Sequence, residues 1–195
     1  AAVCVNPFYV RLAARLLGGS PVQVCTVAGF PLGAGTAAAK AFEARESVAE
    51  GAQEIDLVIN VGALKSGNLM AVRDELRAAR QATRGKILKV ILETALLTKE
   101  EIIRASLYAQ DAGADFVKTS TGFSSRGASV EDVKIIRASV GPGMKIKAAG
   151  GIRTAKFAQD LIASGADRIG TSKSVEIIRE PGGLNSTKGG GEQHG

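Results

Sequence analysis

Residues 113–117, with the sequence GADFV, mark the end of a predicted helix and the start of a strand. Two other segments have the same pattern: residues 51–55 (GAQEI) and residues 165–169 (GADRI). Glycine suits the left-handed residue that follows many helices, and the small alanine after it lets the chain turn tightly into a sheet. The recurrence of this junction predicts a fold built from repeated helix-to-strand units.

Seven short runs rich in β-branched residues are predicted to be strands. They alternate with segments of helical periodicity, of which residues 39–51 and 69–83 are the clearest. A capping-box pattern at residues 98–101 (TKEE) predicts the start of a further helix. Strands of this apolar kind, alternating with helices, indicate a parallel sheet covered by helices. The predicted strands are residues 2–5, 22–28, 54–60, 87–94, 115–121, 145–150 and 168–172.

Two architectures fit this alternation, an open doubly wound sheet and a closed TIM (β/α)8 barrel. A dinucleotide-binding open sheet would carry GxGxxG after its first strand, and residues 4–7 (CVNP) do not fit that pattern. Polar residues near the C-terminal ends of the strands favour the barrel, whose active site gathers there. Only seven units are visible, so the first βα unit of the barrel is expected to be missing from this sequence. We expect one barrel domain over residues 1–179 and a Gly-rich, disordered tail over residues 180–195.

The composition excludes several classes of function. The only histidine is His194, in the predicted tail, which excludes Ser-His-Asp and Cys-His mechanisms and zinc sites built on imidazoles. Aromatic residues are few and the basic residues are scattered, so no nucleic-acid surface is expected. The net charge of +6 fits a small anionic substrate. No apolar run has the length of a membrane span, and the N-terminus does not resemble a signal peptide.

Two cysteines, Cys4 and Cys25, lie in apolar strand-like runs. This placement predicts buried, reduced thiols that pack in the core of a cytoplasmic protein.

Lys118 lies inside the predicted strand of residues 115–121 (DFVKTST), where an unpaired ammonium group would be costly to bury. One interpretation is that its side chain extends to solvent from the strand end. The other is that it is a desolvated amine that acts as a nucleophile. Asp56 and Lys147 lie on two other strands and would converge with Lys118 in the mouth of a barrel. Two close lysines disfavour each other's charge, which favours an amine able to form a Schiff base, and a carboxylate can move the protons. A plain buried ion pair between Asp56 and Lys147 is the alternative.

Glycines also cluster after the last two strands. Residues 149–151 (AGG) follow one strand, and residues 170–172 (GTS) close the next. Backbone N–H groups in such loops bind phosphate in many barrels, so this pair predicts a phosphorylated substrate. A third loop, residues 29–33 (GFPLG), is expected to shape the mouth of the barrel.

Seven motifs in this order resemble those of the 2-deoxyribose-5-phosphate aldolases, a family of class I aldolases on a TIM barrel. The resemblance runs from residue 1 to about residue 178. The motifs are VCVNP (3–7), TVAGFPLG (26–33), EIDLVIN (54–60), LKVILET (88–94), DFVKTSTGF (115–123), IKAAGGIRTA (146–155) and RIGTS (168–172).

The resemblance implies a role for each candidate site residue. Lys118 matches the lysine that forms the Schiff base, and Lys147 matches the second lysine, which favours the neutral form of the first and relays protons. Asp56 matches the acid that donates and accepts protons. The phosphate contacts of the family imply a set of residues that bind the substrate phosphate here: Gly122, Gly150, Gly151, Gly170 and Ser172.

The implied reaction is the reversible cleavage of 2-deoxy-D-ribose 5-phosphate to D-glyceraldehyde 3-phosphate and acetaldehyde, with neither a metal nor an organic cofactor. The implied partners are a small phosphorylated aldehyde or sugar and a second copy of the chain in a homodimer, with no nucleic acid and no membrane. Two alternatives stay open. One is that the chain is a non-catalytic barrel fragment that at most binds phosphosugars. The other is that it is a different phosphosugar lyase or isomerase.

Overall fold

The computed structural model describes residues 1–180. Seven parallel strands form one sheet in which their spatial order is their order in the chain. The predicted tail lies outside the described residues, apart from Glu180. The strands are β1 (Ala2–Cys4), β2 (Gln23–Ala28), β3 (Glu54–Val58), β4 (Ile87–Ile91), β5 (Phe116–Lys118), β6 (Lys145–Ala149) and β7 (Arg168–Gly170).

Helices connect the strands and cover the outside of the sheet. Side chains at the first turn cap most of them: Thr36, Asn68 and Thr98, for example, accept hydrogen bonds from backbone N–H groups three residues further on. The capping box predicted at residues 98–101 is present. The α-helices are α1 (Val10–Leu16), α2 (Ala37–Ala49), α3 (Val61–Lys65), α4 (Leu69–Ala82), α5 (Lys99–Asp111), α6 (Val130–Val140), α7 (Ala155–Ala163) and α8 (Ser174–Arg179).

Contacts between strands that are not neighbours show that the sheet curls. Strands β3 and β6 are three places apart in the sheet, which corresponds to about 14 Å in a flat sheet. Yet Nζ of Lys147 on β6 lies 2.7 Å from Oδ2 of Asp56 on β3. Arg168 on β7 likewise reaches Glu54 on β3 at 2.7 Å. The sheet is therefore a curled, incomplete (β/α) barrel, which confirms the predicted fold class.

The core lies between the strands and the helices around them. It consists of aliphatic side chains from the outer face of the sheet and the inner faces of the helices, such as Ile55, Leu57, Leu76 and Leu88. Burying a side chain of this size contributes about 1.5–3 kcal/mol. The charged residues of the strands other than the exposed Lys145, in contrast, point into the curled interior, where they contact one another.

Two sequence-based expectations differ from the structure. The strands are shorter than predicted: β5 ends at Lys118 and β7 at Gly170, because the Ser, Thr and Gly residues after them form loops. Cys4 was expected to be buried and is exposed, since it lies on β1 at one end of the sheet, whereas Cys25 is buried as expected. Among residues 1–180, none of the helices combines the length and the apolar character needed to cross a membrane.

Candidate active site

Three of the candidate residues meet inside the curled sheet. Lys118 is the last residue of β5, and Lys147 lies directly opposite it on β6. Asp56 on β3 contacts both, because its Oδ2 atom accepts hydrogen bonds from Nζ of Lys118 at 2.8 Å and from Nζ of Lys147 at 2.7 Å. Asp56 is fully buried, and the two lysines are only 5% and 7% exposed. The structure thus brings together one carboxylate and two amines from three strands.

A third lysine, Lys89 on β4, was missed by the sequence analysis. Its Nζ atom donates to Oδ1 of Asp56 at 2.7 Å and lies 2.5 Å from Oε2 of Glu54. The signal was available, because Lys89 interrupts the apolar strand ILKVI much as Lys118 interrupts its own strand. It is also the register partner of Asp56.

The charge in this interior is unbalanced. A buried ion pair that only holds strands in register needs matched charges, since an uncompensated buried charge is strongly destabilising. Here Lys118 and Lys147, two cations directly opposite each other, share a single carboxylate oxygen. Like-charged groups brought together in a buried cluster are typical of a functional site. Within the described residues the cluster has four cations and two carboxylates: Lys89, Lys118, Lys147 and Arg168 with Asp56 and Glu54.

The charges of these lysines control the ionisation of the acids. Burial opposes ionisation of Asp56, but the charges of Lys118, Lys147 and Lys89 outweigh it and hold the pKa of Asp56 well below its usual range. Burial also opposes ionisation of Glu54, and its contacts with Lys89 and Arg168 nevertheless lower its pKa. Asp56 is therefore an anion that orients the amines.

The ionisation of Lys89 follows from the same contacts. Burial disfavours its charged form, yet the two carboxylates Asp56 and Glu54 raise the pKa of Lys89 above its ordinary value. Lys89 is thus a permanent cation beneath the other two lysines and is not a candidate nucleophile.

The glycines expected to bind phosphate lie in the loops that follow β5, β6 and β7. Gly122 and Gly150 are close neighbours, since a Cβ atom on Gly150 would be 3.3 Å from the Cα atom of Gly122. Gly150 and Gly151 have φ angles of 91° and 72°, which non-glycine residues rarely adopt. Gly170 is the register partner of Ala149. Ser172 is exposed just after β7.

A cavity of about 110 Å³ opens at the same end of the barrel. Glu93 stands at its wall with a left-handed backbone (φ 56°), and its carboxylate accepts hydrogen bonds from N and Oγ1 of Thr121. Phe30, in the loop expected to shape the mouth, packs edge-on against Phe123 with ring centroids 5.4 Å apart. The lining residues are Pro31, Leu32, Val61, Glu93, Leu96, Thr121, Phe123 and Ser124.

A curled parallel sheet whose interior holds a buried lysine pair on one carboxylate is the arrangement of a (β/α)-barrel enzyme. Residues 1–174 match the model of the family described as DeoC/LacD family aldolase. The chain belongs to this family of aldolases.

Individual relatives agree with this assignment. The chain is 54% identical over 176 residues to the deoxyribose-phosphate aldolase of Brevibacillus brevis, which covers 90% of this chain and 80% of that protein. It is 53% identical over 190 residues to that of Bacillus cereus, with 97% and 83% covered. Among solved structures, a putative deoxyribose-phosphate aldolase from Coccidioides immitis is 42% identical with a TM-score of 0.89, covering 91% of this chain and 72% of that one. The tetrameric deoxyribose phosphate aldolase from Aeropyrum pernix is 34% identical with a TM-score of 0.83, covering 90% and 74%.

Proposed function

We propose that this chain is a class I aldolase, a carbon–carbon lyase that reversibly cleaves 2-deoxy-D-ribose 5-phosphate to D-glyceraldehyde 3-phosphate and acetaldehyde. The observation that carries the proposal is the contact of Lys118 and Lys147 with one oxygen of Asp56 in a buried cluster. The relatives named above support the choice of substrate.

In the proposed mechanism, the amine of Lys118 attacks the C1 aldehyde of the open-chain sugar and loses water to form an iminium ion. The C3 hydroxyl then loses its proton, and the C2–C3 bond breaks. Its electron pair moves into the C1–C2 bond to give an enamine, while C3 leaves as the aldehyde carbon of glyceraldehyde 3-phosphate. Protonation at C2 and hydrolysis of the imine release acetaldehyde and restore the amine. Every step is a proton transfer, an addition or an elimination, so the reaction needs no oxidant or reductant.

Asp56 and Lys147 move the protons in this proposal. Oδ2 of Asp56 is within hydrogen-bond distance of both amines, so it can take the proton that Lys118 must lose and pass it towards Lys147. The low pKa of Asp56 means that it does not keep this proton between steps. In this proposal Lys147 on β6, directly opposite Lys118, is the second amine of the proton relay.

The phosphate end of the substrate would contact the loops after β5, β6 and β7. Gly122, Gly150, Gly151, Gly170 and Ser172 are the residues proposed for this contact. Backbone N–H groups suit it because close approach to a phosphate needs residues without a Cβ atom, and Gly122 and Gly150 are already near each other. The sequence-based expectation of a homodimer also stays a proposal, to be checked by light scattering.

The experiment that tests the function is trapping of the Schiff base. The protein is incubated with 2-deoxyribose 5-phosphate and borohydride, and the adduct is mapped by mass spectrometry. We expect a reduced adduct on Lys118 and none in the variant Lys118→Met. Lys145→Met is the matched control, because Lys145 is an exposed lysine two residues before Lys147 on the same strand.

The outcomes separate the candidate functions. An adduct on another lysine would contradict the assigned role of Lys118. A folded protein that gives no adduct but still binds the phosphosugar in calorimetry would support the non-catalytic fragment. Turnover of the phosphosugar without any trapped imine would support a different lyase or isomerase.

A further inference from the structure

The two cysteines of the chain face each other across β1 and β2. Cys4 and Cys25 are register partners, so their Cα atoms are separated by about the 4.8 Å between neighbouring strands. This spacing lies within the range that a disulfide bridges, about 4.4–6.8 Å between Cα atoms. Their Sγ atoms lie within 4.8 Å of one another and of a carboxylate oxygen of Asp56. The chain has no other thiol.

The two thiols differ in access and in contacts. Cys4 is exposed, so a solute can reach it. Cys25 is buried, donates a hydrogen bond from Sγ to Oδ1 of Asp56 at 3.2 Å, and accepts one from Nζ of Lys89 at 3.5 Å. A change at Cys4 can therefore reach the proposed proton-relay residue through a single neighbour.

The ionisation of the pair assigns a role to each sulfur. The Cys25 thiol beside it lowers the pKa of Cys4 to about 7, against the opposing effects of burial of the sulfur and of the Asp56 charge. A lowered pKa increases the thiolate fraction of Cys4 at neutral pH, and the thiolate is the reactive form. The neighbouring Cys4 sulfur and burial raise the pKa of Cys25, which keeps its proton. Cys4 is suited to attack an oxidant, and Cys25, its register partner, is placed to resolve the product.

Cys4, Cys25 and Asp56 lie close enough together to be metal ligands, but the groups around them argue against a bound cation. Both oxygens of Asp56 already accept hydrogen bonds from ammonium groups, Oδ1 from Lys89 and Oδ2 from Lys118 and Lys147. A metal ion would have to displace one of these and would be repelled by the others. The geometry favours chemistry between the two sulfurs.

We propose that Cys4 and Cys25 form an oxidisable thiol pair that hydrogen peroxide converts into a disulfide between β1 and β2. The Cys4 thiolate attacks one oxygen of the peroxide, whose O–O bond breaks to give a sulfenic acid and hydroxide. The Cys25 sulfur then attacks the Cys4 sulfur, so that the S–S bond forms and the S–O bond breaks. The departing hydroxide takes the Cys25 proton and leaves as water. Two electrons pass from the sulfurs to the peroxide, and a dithiol reductant reverses the change.

The disulfide would also act on the proposed active site. Cys25 would no longer have a proton to donate to Oδ1 of Asp56, so the carboxylate would lose one of its hydrogen bonds. We expect turnover to fall about two- to tenfold, the size expected for one net hydrogen bond. This consequence rests on the proposed aldolase function, whereas disulfide formation does not.

The test needs no substrate. The folded protein and the variants Cys4→Ser and Cys25→Ser are treated with hydrogen peroxide, alkylated and mapped by mass spectrometry without reduction. In the wild type we expect both thiols to disappear and the peptides containing residues 4 and 25 to be joined. In Cys25→Ser, Cys4 should accumulate as a sulfenic acid that dimedone traps, and in Cys4→Ser, Cys25 should stay reduced.

Three results would overturn the proposal. They are oxidation of Cys25 at an unchanged rate in Cys4→Ser, disulfides only between molecules, and a wild type in which Cys4 is over-oxidised without pairing.

Activity is then measured on the mapped samples. Turnover should fall on oxidation and return with dithiothreitol, and Cys4→Ser should resist the loss. A mapped disulfide with unchanged turnover would overturn the link to Asp56. A disulfide in a protein that is inactive even when reduced would count against the aldolase function and leave the thiol pair standing.

Discussion

Lys89 donates a hydrogen bond to Oδ1 of Asp56, the carboxylate oxygen that Lys118 and Lys147 do not contact. Its Nζ atom is 2.7 Å from Oδ1 of Asp56, whereas the other two lysines contact Oδ2. Because Lys89 also contacts Glu54 at 2.5 Å, it is itself fixed from below. The rotation of the Asp56 carboxylate is thus set by three cations from three strands, and one oxygen is directed to the proposed nucleophile.

Replacing Lys89 tests this positioning role. We expect Lys89→Met to lower the free energy of unfolding by about 3 kcal/mol, because two buried carboxylates lose a partner while each retains another. Turnover should fall about tenfold with little change in KM, since the carboxylate is free to rotate. Urea unfolding and steady-state kinetics measure the two effects. The matched control is Lys134→Met on the exposed face of α6, which should change neither quantity. Full stability of Lys89→Met would contradict the role.

Replacing Asp56 tests its proposed role in proton transfer. We expect Asp56→Asn to lower turnover by about 10²–10³-fold, the size of a lost general acid–base group. The amide cannot take the proton of Lys118, so the borohydride adduct should also form more slowly. The control is Asp111→Asn at the exposed end of α5. A variant that forms the adduct at the wild-type rate but turns over slowly would limit Asp56 to the later proton steps.

The pKa of Asp56 also predicts how stability depends on acid. A carboxyl group with a lowered folded-state pKa stabilises the protein above its ordinary pKa of about 4, and this contribution is lost as the pH falls through the lower folded-state value. The pKa of Glu54 is also lowered, so its contribution to stability is likewise lost in acid. We expect the free energy of unfolding to decline below about pH 4, and less steeply in Asp56→Asn. Parallel curves from pH 3 to 7 would show that Asp56 is not the group responsible.

The repeated Gly-Ala junctions and the apolar strands made the fold predictable from sequence, because a parallel sheet covered by helices buries both faces of such strands. The convergence of Lys118, Lys147 and Asp56 followed from side-chain alternation and from the common end at which barrel strands finish. Both inferences rest on local periodicity, which the sequence displays directly.

The residues that sequence reasoning missed depend on how the sheet closes. Lys89 could have been suspected as a charge in an apolar strand, but its contact with Asp56 depends on the strand register. The contact of Arg168 with Glu54 joins positions 114 residues apart across the curled interior. Cys4 was expected to be buried because its neighbours are apolar, and its exposure follows from the place of β1 at the end of the sheet.

A second buried ion pair, Lys40 with Glu75, joins α2 to α4 at 2.6 Å beneath the end of β3. Nζ of Lys40 donates to the carbonyl of Val58, and Glu75 accepts from the N–H of Asn60. Burial lowers the pKa of Lys40 and raises that of Glu75 despite their mutual attraction. This pair supports the strand segment just after Asp56.

A double-mutant cycle on this pair has a clear expected result. Lys40→Met and Glu75→Gln should each cost about 3–5 kcal/mol, because each leaves a buried charge unpaired. The double variant should cost at least about 2 kcal/mol less than the sum of the two. The exposed pair Arg11–Glu50 is the control, with a coupling energy below about 1 kcal/mol. Additive costs at Lys40 and Glu75 would mean that the pair contributes only through separate hydrogen bonds.

Gly170 leaves room for the Lys147 side chain, because a Cβ atom at residue 170 would lie 2.9 Å from Cε of Lys147. The Lys147 side chain is held on Asp56, so Gly170→Ala would push it away from that carboxylate. We expect turnover to fall about tenfold and the free energy of unfolding to fall by only about 1 kcal/mol. Gly143→Ala is the matched control, since a Cβ atom there meets nothing within 4 Å.

The substrate dependence of Gly170→Ala distinguishes the two roles considered for this glycine. If displacement of Lys147 is the cause, turnover of unphosphorylated 2-deoxyribose should fall by the same factor as turnover of the 5-phosphate. If Gly170 acts instead through the phosphate, only the phosphorylated substrate should be affected, and mainly through KM. An equal loss for both substrates would assign Gly170 to the lysine, because an effect that does not depend on the phosphate cannot arise from contact with it.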